Sequence, residues 1–258
     1  METLLFEVDE ATLYGTLHLP EIEPRASVLI CAPLLEERKC ANRTLVELAD
    51  QLAAKGLSAM RFDYRGTGDS QGNHRELTVE SCIADILTAM TRLRENTSQP
   101  IFLFGLRLGA TLAALAASRA GNVDGLLLWQ PVVSGNEFFQ LNFRRSTFRQ
   151  SLIRKTPESK KYENRAAADL DGFLVSYEFC DETRAIDLTS LDKPAEHVLI
   201  AQLSFKTASS KELDSLAEKW HAEFEKSVCQ PFWNRIGYVD CRGIVASSVD
   251  WILSQLMS

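Results

Sequence analysis

A mostly parallel β-sheet covered by helices on both faces is the α/β fold class this sequence predicts, and three observations predict it. Short, continuous apolar runs alternate with amphipathic helical patterns from residue 28 onward, which is how strands buried on both faces read. Ile101 to Ala120 reads as a strand, a tight turn framed by Gly105 and Gly109, and a helix of small residues. With 258 residues, 45% of them hydrophobic, the chain suits one large domain with a substantial core.

Taken in order, Leu4 to Val8 and Leu13 to Leu19 predict an opening hairpin. The buried-strand runs follow at Val28 to Cys31, Ala59 to Asp63, Ile101 to Phe104, Leu126 to Trp129, Val198 to Ala201 and, more weakly, Ile236 to Val239. Helical patterns lie between them at Leu45 to Lys55, Val79 to Glu95, Ala110 to Ala120, Lys211 to Lys226 and Gly243 to Met257. The stretch from Val133 to Lys193 is much longer than a usual connection, looks helical and carries no strong strand. It is expected to be a helical cap (133–193) inserted above the carboxyl edge of the sheet, dividing the core into 1–132 and 194–258.

Charge is uneven. The chain carries a net −7, yet from Glu137 to Arg165 the residues Arg144, Arg145, Arg149, Arg154, Lys155, Lys160, Lys161 and Arg165 face only Glu137, Glu158 and Glu163. Such a patch, with Arg144, Arg145 and Arg149 at its head, is either a solvated helix face or a surface for an anionic ligand or acidic partner. A pI near 5.3 gives no support to nucleic-acid binding. Six scattered cysteines without a Cys-x-x-Cys pair indicate neither a zinc site nor a disulfide framework, and no cofactor motif is evident. With an acidic first segment no secretory signal is expected, and no apolar run reaches the roughly eighteen residues of a membrane span. The expectation is a cytoplasmic protein.

The chemistry turns on Phe104-Gly105-Leu106-Arg107-Leu108-Gly109-Ala110, which sets an arginine at the centre of a Gly-x-Ser-x-Gly frame. A guanidinium that is always charged cannot attack a carbonyl. The stretch Met60-Arg61-Phe62-Asp63-Tyr64-Arg65-Gly66-Thr67-Gly68-Asp69-Ser70-Gln71-Gly72 strongly resembles the loop after the fourth strand of serine hydrolases in the α/β-hydrolase superfamily. Its glycines also suggest a dinucleotide loop, but they do not follow the first strand as such a loop requires. Asp63, Arg65 and Asp69 read as an ion-pair and turn network.

The resemblance implies an acid after the sixth or seventh strand and a histidine after the last. Gln130-Pro131-Val132-Val133 and Gln202-Leu203-Ser204-Phe205 supply no carboxylate, and no histidine follows His221. His18, His197 and His221 fall at unsuitable positions, leaving His74 as the one histidine that could face the site. Ser70 and Ser134 lack an identifiable base. Cys31, at the end of a strand near the oxyanion loop, is the one stand-in nucleophile, because a neighbouring Arg107 would lower its pKa. The loop Ala32 to Arg43 replaces the His-Gly loop. Arg107 sits at a helix N-terminus, where the dipole disfavours a cation, so Glu36, Glu37 or a ligand anion must compensate, with Asn42 and Arg43 as supporting polar contacts.

Pro33-Leu34-Leu35-Glu36-Glu37 with Asn42-Arg43, the Gly105 to Ala110 turn, Leu126 to Val132 and Gln230-Pro231-Phe232-Trp233 together resemble the second hydrolase-like protein of bacterial exosortase A systems. That resemblance implies that Arg107 is a feature of the branch, in an exopolysaccharide and protein-sorting context. The chain departs from the pattern at Cys31, Ala32 and Glu37-Arg38-Lys39-Cys40. The function expected is therefore that of a hydrolase-like pocket protein without a Ser-His-Asp triad, binding an anionic or acyl-bearing small molecule or a partner enzyme, with no metal or cofactor. Its alternatives are an atypical esterase or thioesterase using Cys31 or an activated water, and a purely structural interaction subunit.

Overall fold

Strands that are apolar throughout must be covered on both faces, and β3 (Ser27–Cys31), β5 (Ile101–Leu106) and β6 (Gly125–Trp129) are buried at every position. The computed structural model describes residues 1–95, 99–153, 167–170, 172–205 and 208–257, excepting the side chains of 149–153 and 167. Around the three buried strands lie β1 (Glu2–Val8), β2 (Ala11–His18), β4 (Ser58–Phe62), β9 (His197–Leu203) and β10 (Glu223–Ser227), in the order β1-β2-β4-β3-β5-β6-β9-β10. All neighbouring strands from β4 to β10 pair in parallel, whereas β2 runs antiparallel to both β1 and β4.

Two cores result. On one face α2 (Val79–Arg94), α3 (Leu108–Ala120) and α6 (Lys211–Trp220) bury Ile83, Leu112 and Leu216. On the other, α1 (Leu35–Ala54) and α7 (Arg242–Gln255) bury Leu48 and Ile252 against Phe102, Phe104 and Trp129. No helix among the described residues is long and apolar enough to cross a membrane.

Three elements differ from expectation. Helix α1 begins at Leu35 and not at Leu45, so most of the expected Ala32 to Arg43 loop is helical; Glu36 and Glu37 fall in its first turn, where the dipole favours acids. The last strand is β10, inside the segment expected to be helical to Lys226. His221, in the left-handed region at φ 48°, ends α6 at Trp220, while the expected strand at 236–239 is irregular and Ile236 is 90% exposed. The third difference lies in 133–193, which contains α4 (Gly135–Ile153) and α5 (Tyr177–Ala185) but also an antiparallel hairpin of β7 (Ala167–Leu170) and β8 (Phe173–Ser176). Gly172, at φ 92°, turns that hairpin, and its N–H donates to Asp169 Oδ1 at 2.7 Å. Arg154, Lys155, Lys160, Lys161 and Arg165 lie outside the described residues, as does the Arg149 side chain.

Candidate functional site

Three non-glycine residues beyond the carboxyl ends of β3, β5 and β6 hold positive φ: Leu35 (59°), Arg107 (57°) and Gln130 (45°). Each such conformation costs of order 1–3 kcal/mol, so the surrounding structure must over-determine it. At Arg107 it does. The Arg107 N–H donates to Trp129 O at 3.0 Å, and its carbonyl accepts from Ala110 N at 3.0 Å and Thr111 N at 3.2 Å. The flanking glycines are obligatory: a Cβ at Gly105 would strike the backbone of Ala110, and one at Gly109 would strike the carbonyls of Cys31 and Ala32.

This turn projects the Arg107 side chain at the N-terminus of α3, where free N–H groups already create positive potential. Glu37 supplies the compensating charge. Arg107 Nε donates to Glu37 Oε1 at 3.2 Å, and Nη1 donates to Gln130 O at 3.2 Å. The guanidinium carbon lies 5.5 Å from the Trp233 ring centroid and 5.8 Å from that of Phe138. Glu37 is 5% exposed, and its Oε2 has no hydrogen-bond partner among the described residues. Burial pushes its carboxyl above the usual range, and the attraction of Arg107, then of Arg145, opposes that shift.

Two clefts, of about 480 and 490 Å³, share Arg107, Gln130 and Ser210. The first runs along α4 and α6 and mixes charges, with Arg144 against Glu137 and Glu212. There burial, then Glu137, raises the Glu212 carboxyl. The second is walled by Gln202, Ser204, Ser209, Trp233 and Asn234, and Arg107 is its one charged lining residue among the described residues. Amide, hydroxyl and aromatic groups around a single cation suit a hydroxylated or anionic ligand better than a purely apolar chain.

Other expected residues lie elsewhere. Glu36 turns outward toward Lys39 at 3.7 Å. Asn42 and Arg43 do not join Arg107: both are exposed on α1, Arg43 pairs with Glu47 at 3.0 Å and its guanidinium sits 4.4 Å from the Tyr238 ring, and Asn42 lines a separate cavity with Arg61 and Asp63. Arg144 lines the first cleft, while Arg145 donates to Asn234 Oδ1 at 3.0 Å. Cys31 fails as a nucleophile because it is fully buried in the core, and that burial drives its thiol far above the usual range. His74 is half-buried beside the Phe173 ring, at 5.3 Å between centroids, and burial lowers its pKa. Arg65 and Asp85, with Asp9, form an ion-pair network on the loop after β4, and Arg38 pairs with Asp63.

Sequence reasoning missed Gln130 as a site residue. Its carbonyl holds Arg107 and its side-chain oxygen accepts from Leu203 N at 2.9 Å, tying β6 to β9. The available signal was position: a polar residue directly after a buried strand and before Pro131. Phe138 and Glu212 reach the site from distant elements and carried no local signal, while Glu137 and Trp233 were noted only within the charged patch and the Gln230 to Trp233 motif.

A sheet of this order, with a positive-φ residue between β5 and α3, defines an α/β-hydrolase fold. Within that fold the chain belongs to the serine aminopeptidase S33 family, whose model matches residues 22–173. A monoglyceride lipase homologue of monkeypox virus is 22% identical over 170 residues, which cover 65% of this chain but 60% of that protein. The match thus spans less than two thirds of the relative's length. Est1E from Butyrivibrio proteoclasticus, solved with ferulic acid, superposes with a TM-score of 0.74 at 16% identity, over 99% of this chain and 100% of that one. An alpha-beta serine hydrolase homologue from Coxiella burnetii gives 0.63 at 18% identity, over 99% and 97%. Mouse alpha/beta hydrolase domain-containing protein 10 gives 0.62 at 15%, over 98% and 99%.

Proposed function

We propose that this protein is a hydrolase-like binding protein whose pocket takes an anionic, hydroxyl-rich ligand, such as an acidic saccharide or an acyl-bearing intermediate presented by a partner enzyme. The observation that carries the reading is Arg107 at the apex of the turn, paired on one edge with Glu37 and Gln130 and opening on a cleft whose other lining groups, among the described residues, are uncharged. A guanidinium has five N–H donors, and these two bonds use two of them. A carboxylate or phosphate could take further donors in the bidentate manner that suits arginine. Ser209 and Asn234 line the same cleft and offer hydroxyl and amide groups to a saccharide. Acyl transfer lacks its parts, because neither Arg107 nor the buried Cys31 can attack and no histidine follows His221. The resemblance of several segments to the exosortase-associated branch supports a bacterial exopolysaccharide setting for the ligand.

The family relation favours a second reading, hydrolysis by an activated water. One assay separates the two. Short-chain acyl esters and thioesters are incubated with parent protein and Arg107→Gln, while uronate oligosaccharides and their neutral counterparts are tested by thermal shift. Binding predicts no turnover above buffer and a melting temperature raised by the uronates alone, since a ligand of the native state stabilises it by mass action. Turnover that Arg107→Gln abolishes would establish the hydrolase.

A further inference from the structure

We propose that Cys229 and Cys241 form a thiol–disulfide exchange site, whose reversible intrachain disulfide staples the segment between them along the Arg107 cleft. The two sulfurs lie 3.6 Å apart, and both residues are buried. A disulfide needs roughly 2 Å, so a small approach suffices. Cys229 follows β10 and Cys241 caps α7, so the pair joins the two ends of a stretch that contains no strand and only one short 3₁₀ turn, at Phe232–Asn234.

What the stretch does gives the pair its importance. Phe232 packs on Trp129 and Trp233 on Arg107, with ring contacts of 6.3 and 5.5 Å. Asn234 accepts from Arg145, and Pro231, Trp233 and Asn234 line the second cleft. From Arg235 to Tyr238 every residue is exposed. The wall of the cleft is thus held by side chains at one end and by two thiols at its base, and local opening of so exposed a stretch admits a small reagent. Cys241 is held at the start of α7, where Thr44 Oγ1 donates to its sulfur at 3.9 Å, whereas Cys229 borders the stretch that opens, which makes Cys229 the attacking sulfur.

The oxidant is a low-molecular-weight disulfide. The Cys229 thiolate attacks one of its sulfurs, forming a mixed disulfide and releasing one thiolate. Cys241 then loses its proton and attacks Cys229 Sγ, expelling the second. Two protein thiols are oxidised by two electrons, the reagent is reduced to two thiols, and both protons pass to these. The proposal stands whatever ligand the cleft holds.

The folded protein is equilibrated at neutral pH in buffers of increasing glutathione disulfide to glutathione ratio, acid-quenched, alkylated and peptide-mapped. A linked Cys229–Cys241 peptide should accumulate with the ratio and vanish with dithiothreitol, while Cys31 and Cys82 stay reduced. Cys241→Ala should instead trap glutathione on Cys229. The oxidised parent should also resist tryptic cleavage after Arg235 several-fold better than the reduced form. Separately alkylated thiols at every ratio, or a glutathione adduct on the parent's Cys229 that never resolves, would overturn the exchange site. Equal cleavage rates would overturn the staple.

Discussion

Two buried arginine–carboxylate pairs sit at strand ends of the same sheet and are finished to different degrees. Asp85, fully buried on α2, accepts from the Arg65 backbone N–H and from its Nε, both at 2.8 Å, while the outer nitrogens of Arg65 reach Asp9 at 3.1 Å. Both oxygens of Asp85 are occupied. At Arg107 a single 3.2 Å bond joins the pair, and Glu37 Oε2 has no partner among the described residues. The contrast separates two uses of one chemistry. A carboxylate that satisfies backbone and side chain together locks a loop, whereas at the turn Glu37 is buried behind Arg107 and the guanidinium alone faces the clefts, with N–H donors beyond its two bonds.

The largest expected effect is at the finished pair. Asp85→Ala leaves Arg65 with the exposed Asp9 as its ion partner and removes the acceptor of its backbone N–H, so urea denaturation should show a loss of about 3–5 kcal/mol. A loss under about 1 kcal/mol would mean that water satisfies Arg65 and that the two pairs do not differ in kind.

Arg107→Ala should cost less, about 1–3 kcal/mol, because Glu37 can escape its buried charge by taking a proton. The sign follows from the raised carboxyl. A Glu whose folded pKa lies above its unfolded value of 4.5 adds no penalty below that pH, and its penalty grows as pH rises through the folded pKa. The mutant's deficit should therefore shrink on acidification. Replacing both partners by apolar residues, as in Arg107→Met with Glu37→Leu, should be near neutral, since a buried pair is often matched by well-packed hydrophobic groups. The same exchange at Arg65 and Asp85 should stay destabilising, because the Arg65 backbone N–H still lacks an acceptor.

A third charged cluster responds to pH in the opposite sense. His18, 2% exposed, has Nδ1 2.7 Å from Asp50 Oδ1, and its Nε2 accepts from Arg61 Nε at 3.2 Å, so the ring proton belongs on Nδ1. A second proton would meet the Arg61 N–H. Burial first, then Arg61, lowers the pKa, with Asp50 opposing. A depressed folded pKa gives stability that is present above the unfolded value of 6.5 and lost as pH falls through the folded one. Melting temperature should decline over that interval in the parent and less in His18→Gln. Parallel curves would place the acid sensitivity elsewhere.

How much of this was legible follows from how local each signal is. Buried strands and the Gly105 to Gly109 frame are written in periodicity and spacing, so the sheet and its turn could be read directly. That Arg107 needs a carboxylate follows from the dipole of α3. Which carboxylate does not follow, because it depends on α1 starting at Leu35: successive residues of a helix point about 100° apart, so Glu37 turns inward and Glu36 outward. The same shift carries Asn42 and Arg43 away from the site. The β7–β8 hairpin had a signal in Asp171-Gly172 flanked by apolar residues, overridden by the helical look of its surroundings. The short polar strand β10 had almost none. Strand-end position left open whether Cys31 faces the site or the core, and its side chain lies in the core.

The smallest expected effect lies where a charged pair is neither buried nor aimed at a cleft. Arg43 and Glu47 stand one turn apart on the outer flank of α1, with side chains 68% and 33% exposed and a 3.0 Å contact. Water screens the attraction, and two long side chains lose rotamer freedom to make it, so Glu47→Ala should cost no more than about 0.5 kcal/mol and less in high salt. Arg43 also covers the Tyr238 ring at 4.4 Å, so Arg43→Ala should cost slightly more than Glu47→Ala through lost stacking that salt does not screen. Measured side by side in low and high salt, the two variants split charge from contact. A loss above about 1 kcal/mol at Glu47 would show that exposure alone does not grade these pairs. The distinction drawn at Asp85 and Glu37 would then have to rest on bonding geometry without burial.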